Sequence, residues 1–226
     1  MCGRYTLFSE IKDLSVRFSI PEKSILHYPK NYNISPNQYI LAIMSRGDNT
    51  VTDLVKWGLK PSFNNEHLNF KAIHNARAET IQTKPTFKQI IKTQRCIIPT
   101  NGFYEWQKTN NGIRPFFIHK NKNELFALAG IWTTEIDFKG AEIRSCSILT
   151  KKAAPEFAKI HHRMPVVLQN TMEKKWINNH TDLDSLMETC LNAPSEQKLY
   201  VDEVSHYVNC SNNSGEDCIV PTPKLL

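Results

Sequence analysis

Apolar runs of strand length, crowded into the middle of the chain, constrain this sequence more than any other feature. They are YILAIM (39–44), RCIIP (95–99), GFYEW (102–106), RPFFIHK (114–120), FALAGIWTT (126–134) and EIRSCSILT (142–150). Asn-Gly pairs at 101–102 and 111–112 separate several of them, and both residue types accept the left-handed backbone of a tight turn. Short strands at this spacing suggest a curved sheet or a barrel. Helical patterns are scattered among them without a βαβ rhythm. The expected fold class is therefore α+β, one domain over residues 1–226 with a barrel-like, mainly antiparallel β-sheet core and surrounding helices.

Residues 9–18 read as a helix capped by Ser9, with Ile11, Leu14 and Phe18 on one face. PTFKQIIK (85–92) and KKAAPEFAKI (151–160) are further candidates. TDLDSLMETCLN (181–192) is the clearest, with Thr181 as cap and Leu183, Leu186, Met187, Cys190 and Leu191 at helical spacing. The stretches 21–36 and 209–217 read as loop, being rich in Pro, Asn, Ser and Gly.

At 226 residues the chain buries enough surface to fold without a staple. Charge is mildly positive, 28 Lys and Arg against 22 Asp and Glu, which is compatible with a polyanionic partner without demanding one. No run approaches the roughly 18 apolar residues of a membrane helix. The N-terminus lacks the basic-then-apolar layout of a secretion signal, so a soluble intracellular protein is expected. Six cysteines show neither C-x-x-C nor zinc spacing, so no metal and no cofactor is expected. Cys96 and Cys146 sit in apolar runs as core thiols, and an intracellular setting argues against pairing Cys210 with Cys218.

Four stretches carry possible chemistry. In MCGRYT, removal of Met1 would leave Cys2 with an α-amine and a thiol on one residue. A free α-amine titrates near about 7.7–8.0, so a useful fraction is nucleophilic at neutral pH. Against an aldehyde the amine forms a Schiff base, and the thiol then closes a five-membered thiazolidine on the same carbon. Taken alone, Cys2 reads equally as the residue that happens to follow Met1. In HNARAET (74–80), Asn75 offers donor and acceptor and Arg77 a phosphate-shaped fork, or the stretch is a capped turn with a surface arginine. In NGFYEWQ (101–107), strand alternation puts Phe103 and Glu105 on one face and Tyr104 and Trp106 on the other. A carboxylate beside an aromatic residue loses solvent and titrates higher, unless it faces water at a sheet edge. In KIHHRMPVVL (159–168), His161 stands beside Arg163 where a helical pattern gives way to a strand.

Together these stretches resemble the SRAP family, the SOS response-associated peptidases or abasic-site processing proteins. The resemblance rests on MCGRYT, YNISP (32–36), KWGLKPSF (56–63), NARAET, GFYEW, IHHRMPVVL and VSHYVN (204–209), in order and spacing over essentially the whole chain. It implies an α+β fold around a barrel-like sheet and a partner, single-stranded DNA containing an abasic site, captured as a thiazolidine crosslink. It also implies that Cys2 is the crosslinking nucleophile, Asn75 orients its amine or the opened sugar, and Glu105 and His161 move the protons. Arg4, Arg77 and Arg163 correspond to phosphate-contacting arginines, Pro36, Trp57 and Trp106 to an apolar rim, and Thr150 to a site-lining position. A monomer is expected, cytoplasmic and nucleoid-associated in a bacterium or nuclear in a eukaryote. This chain departs from the pattern at Phe63, usually tryptophan, at His162, where Asp or Asn is expected, and at Lys151 and Lys152. Two rivals remain at this point: a thiol hydrolase with Cys2 as N-terminal nucleophile, and a non-covalent single-strand-binding module.

Overall fold

Apolar runs buried along most of their length build two sheets, seen in a computed structural model that describes residues 2–47, 49–60, 71–121, 124–136, 140–192 and 198–223. In chain order the elements are β1 (Arg4–Leu7), α1 (Ile11–Phe18), β2 (Asn31–Ile34), β3 (Tyr39–Arg46), β4 (Asn49–Trp57) and β5 (Asn75–Arg77). There follow α2 (Ile90–Thr93), β6 (Arg95–Thr100), β7 (Gly102–Thr109), β8 (Gly112–His119), β9 (Phe126–Ile136) and β10 (Glu142–Lys152). The chain continues through β11 (Arg163–Pro165), β12 (Val167–Leu168), α3 (Asn170–Ile177), α4 (Leu183–Asn192) and β13 (Tyr200–Glu203).

Strands β10, β4, β3, β6 and β9 pair in that order, and β10 pairs again with β9, which closes the ring into a barrel. The pairs are antiparallel except β4 with β10. Closure pairs the first and last strands of this five-stranded ring with each other. Beyond its β4 contact, β10 carries β5 in parallel at Ile148–Thr150 and β11 in antiparallel at Thr150–Lys152. The NAR and HHRM stretches are thereby brought to one end of β10. The second sheet, in the order β13, β8, β7, β1, β2, is antiparallel throughout. Its inner face gives Tyr5, Leu7, Phe103 and Ile118 to the main core, while Tyr104 and Phe117 on the outer face meet Val204, Val208 and Cys218.

The expected α+β architecture is present, with local corrections. The 151–160 stretch is the end of β10 followed by turns, because Pro155 and the pairing of β10 with β11 leave no room for a helix there. Of the 85–92 candidate only the last three residues are α-helical, in α2 (Ile90–Thr93). Helix α1 is capped by Glu10 in a reciprocal box with Asp13, leaving Ser9 Oγ to accept from Asn101 Nδ2. Asp182, not Thr181, bonds the first turn of α4 through Ser185 N. Helix α3 and strands β1, β2, β4, β5 and β13 were not among the expected elements. Asn111-Gly112 does mark the β7–β8 hairpin, with Thr109 paired to Gly112. Asn101-Gly102 instead marks the crossing from barrel to second sheet, where Asn101 Oδ1 accepts from Phe8 N. Cys96 and Cys146 are buried in the barrel, and all six cysteines are free thiols. No helix among the described residues is long and apolar enough to cross a membrane.

Candidate active site

The site begins where β1 starts. Cys2 is fully buried, its thiol 3.8 Å from the carbonyl of Arg4. Asn75, the first residue of β5, donates from Nδ2 to the Cys2 carbonyl at 2.9 Å. Its own Oδ1 is buried with no hydrogen-bond partner among the described residues.

Glu105 enters from β7, one residue past the pairing of Tyr104 with Arg4. It is 3% exposed, and burial pushes its carboxyl up to about 7. Burial also pushes the Cys2 thiol up, and the neighbouring Glu105 charge adds to the effect. His161 lies just before β11. Its Nδ1 accepts from Arg163 N at 3.0 Å and stands 3.7 Å from Glu105 Oε2. Burial lowers the His161 pKa, and His162 and Lys108 lower it further by charge. Four segments far apart in sequence thus deliver an N-terminal thiol, an amide, an acid and an imidazole to one place. Among the described residues no group of three or more His, Cys, Asp and Glu side chains could hold a metal ion.

The residues expected to surround this centre are placed less uniformly. Arg77 is exposed on β5. Arg163 gives its fork to both oxygens of Glu79, at 2.5 and 2.9 Å, and to the carbonyl and hydroxyl of the buried Thr150. Arg4 is bonded by Asn33 and the C-terminal segment. Trp57 is wholly buried, its indole N–H on the carbonyl of His74 and its backbone tied to Asn37 and Gln38. It therefore supports the partly exposed Pro36 turn from beneath and offers no surface itself. Gly58 follows in a left-handed conformation, φ +142°, where a Cβ would come within 3.0 Å of Ala72 Cβ. Trp106 lies on the face of β7 opposite Glu105, with its Nε1 on Asn209 Oδ1 at 2.7 Å.

The family description SOS response associated peptidase (SRAP) matches residues 1–211. The chain belongs to the SRAP family. It is 37% identical to the abasic site processing protein YoqW of Bacillus subtilis, over 97% of this chain and 99% of that protein. It is 27% identical to the abasic site processing protein YedK of Escherichia coli, over 98% of this chain and 100% of that one. A crystal structure of a Bacteroides thetaiotaomicron protein shares the fold, with a TM-score of 0.80 at 23% identity over 96% of this chain and 99% of that one.

This SRAP chain also shows where its departures fall. His162 is exposed, and its ring sits 4.4 Å from that of His161. Lys151 turns away from the site and donates to the carbonyl of Cys190 at the end of α4. Phe63 and Met1 lie outside the described residues. Sequence reasoning missed Glu79, Asn33 and Asn209. All three sit inside the quoted motifs, but no property of an isolated Glu or Asn announces the partner it finds across the fold.

Proposed function

We propose that this protein binds single-stranded DNA carrying an abasic site and captures the lesion covalently through Cys2. The observation that carries this reading is the convergence of Cys2, Asn75, Glu105 and His161. Its relatives, named abasic site processing proteins, support the same conclusion.

The chemistry follows from the groups present. Met1 must be removed to free the α-amine of Cys2. The abasic sugar opens to an aldehyde, and the amine attacks its carbon and expels one water as the imine forms. The Cys2 sulfur then bonds to that carbon while the thiol proton passes to the imine nitrogen, which completes the thiazolidine. Glu105, with its carboxyl near neutrality, donates a proton to the ring oxygen and recovers one from the anomeric hydroxyl as the sugar opens. It donates again as hydroxyl leaves as water and recovers the proton lost by the amine, and it relays the thiol proton to the imine nitrogen. His161 shares these transfers, and the two titrate as a coupled pair. Asn75 holds the backbone of Cys2 and offers Oδ1 to the amine. Arg77 supplies sequence-independent attraction to phosphate. A missing base needs no base-specific code, and a single strand needs no unstacking.

A hydrolase with a standing Cys2 thiolate fits less well, because burial and the Glu105 charge both raise the thiol's pKa. Mixing the protein with single-stranded DNA bearing one abasic site, followed by a denaturing gel, tests the proposal. A covalent band is expected from wild type and none from Cys2→Ala or from a protein with a blocked N-terminus. Cys2→Ser should give only a borohydride-trappable Schiff base. An equally strong, stable band from Cys2→Ala would refute the assignment.

A further inference from the structure

Arg4 stands two residues from the proposed nucleophile, yet the far end of the chain holds it. Its Nη1 donates to Asn33 Oδ1 at 2.7 Å and to the Val208 carbonyl at 3.0 Å, and Nη2 reaches the Asn209 carbonyl at 3.4 Å. Asn33, wholly buried on β2, donates from Nδ2 to the carbonyls of Val208, Cys210 and Asn213 at 2.7–3.1 Å. The 204–213 segment is therefore stitched to β1 and β2 by one guanidinium and one amide. Asn209 adds a third stitch through Trp106, whose ring lies 6.0 Å from the Arg4 guanidinium.

Two features set this arginine apart from a phosphate contact. Pairing of Arg4 with Tyr104 puts it on the outer face of the second sheet, whereas Glu105 points the other way. A phosphate would also have to displace the 2.7 Å bond to Oδ1 of the wholly buried Asn33, which would lose its partner without gaining solvent. The planar fork of arginine suits several fixed acceptors at once, and here those acceptors are protein.

We propose that Arg4 and Asn33 are positioning residues: they tie the strand that carries Cys2 to the C-terminal segment 204–213 and so fix the amine and thiol against Glu105. The inference rests on the covalent role proposed for Cys2. A reacting group displaced by about 1 Å loses roughly a hundredfold in rate. Loosening β1 should therefore slow the bond-forming step while leaving DNA affinity alone.

The test compares wild type with Arg4→Met and Asn33→Ala, and with Arg4→Lys, which keeps the charge while its single nitrogen cannot span three acceptors. Thermal unfolding first establishes that each variant folds. Three quantities are then measured: amide hydrogen exchange of residues 4–7 without DNA, affinity for an undamaged single strand across a salt series, and single-turnover crosslinking at saturating abasic strand. Expected are faster exchange in β1, unchanged affinity and salt slope, and crosslinking slowed by about tenfold or more in each variant. The proposal is overturned if Arg4→Met loses about one unit of salt slope while its exchange and saturated rate stay at the wild-type level. Should wild type form no crosslink, the abasic-site reading fails by itself. The exchange arm then decides alone: accelerated exchange upholds the tie, and unchanged exchange refutes it.

Discussion

Nδ1 of His161 stands 3.7 Å from Oε2 of Glu105, and burial shifts the two groups in opposite directions in pKa. The carboxyl rises to about 7 while the imidazole falls below its ordinary value. Near neutral pH the Glu105 carboxyl is thus within easy reach of either protonation state, the condition for efficient proton transfer. The single-turnover crosslinking rate should show a titration limb near pH 7, reported by the pair as a whole. Glu105→Gln should flatten that limb and slow the reaction by about a hundredfold or more, a typical general acid–base contribution. A pH profile indistinguishable from wild type would remove Glu105 from the chemistry.

The same shift has a consequence for stability. The folded carboxyl titrates near 7 and the unfolded one near the ordinary 4.5, so between these values the folded state holds the extra proton. Stability therefore falls as pH rises through that window, and above it the buried carboxylate costs up to about 3 kcal/mol. Glu105→Gln is expected to be more stable than wild type at pH 8, with the difference vanishing below pH 4.5. Urea unfolding at both pH values measures this directly. A variant less stable than wild type at pH 8 would mean that hydrogen bonds to the carboxylate outweigh its desolvation.

Asn75 holds the proposed nucleophile through a single bond, from Nδ2 to the Cys2 carbonyl at 2.9 Å. A neutral hydrogen bond contributes about 1 kcal/mol, so Asn75→Ala should cost little in stability. The larger loss should be in rate, about tenfold or more, since the bond orients a reacting residue. Asn75→Asp keeps the size but replaces the donor with an acceptor, and it should not restore the rate. Full activity in Asn75→Asp would show that the donor is dispensable.

Arg77 differs from the other arginines of the quoted motifs in being exposed on β5. Arg77→Ala should weaken binding to any single strand and lower the salt slope by about one unit. The crosslinking rate at saturating DNA should not change. A lower saturated rate with an intact slope would make Arg77 part of the positioning framework instead.

The candidate site was legible in the sequence through the order and spacing of its motifs, not through any one residue. Taken alone, the cysteine behind Met1, the Asn75 amide, the Glu105 carboxylate and the His161 imidazole each had an ordinary reading as well. Barrel strands were legible more directly: burial on one or both faces writes itself as short apolar runs. The missed strands β1, β2, β4, β5 and β13 are short or polar, such as NTVTDLVKW, whose apolar positions are diluted by charge. The arginines were legible as cations but not as to what they bond. Nothing in RYT or HRMP shows that Arg4 meets Asn33 or that Arg163 meets Glu79. Those pairings arise from contacts 29 and 84 residues apart in the chain.

The Glu79–Arg163 pair yields the last prediction. Glu79 accepts from Nη1 and Nη2 of Arg163 and also from Lys152 N at 3.1 Å, so it joins the turn after β5 to β10 and β11. The Arg163 side chain is only 11% exposed, whereas Glu79 is 37% exposed. Solvent therefore screens the carboxylate, and the stability lost in Glu79→Ala should be about 1–2 kcal/mol, or a few degrees in Tm. The effects on function should run in opposite directions. Removing a negative charge and releasing the guanidinium should tighten binding to undamaged single strands. Crosslinking should nonetheless slow, because Arg163 N holds Nδ1 of His161 and the loop that carries both would lose its anchor. Binding titrations and single-turnover gels on Glu79→Ala and Glu79→Gln separate these effects, with Gln expected to be intermediate. If affinity and rate fell together, the pair would serve the fold alone.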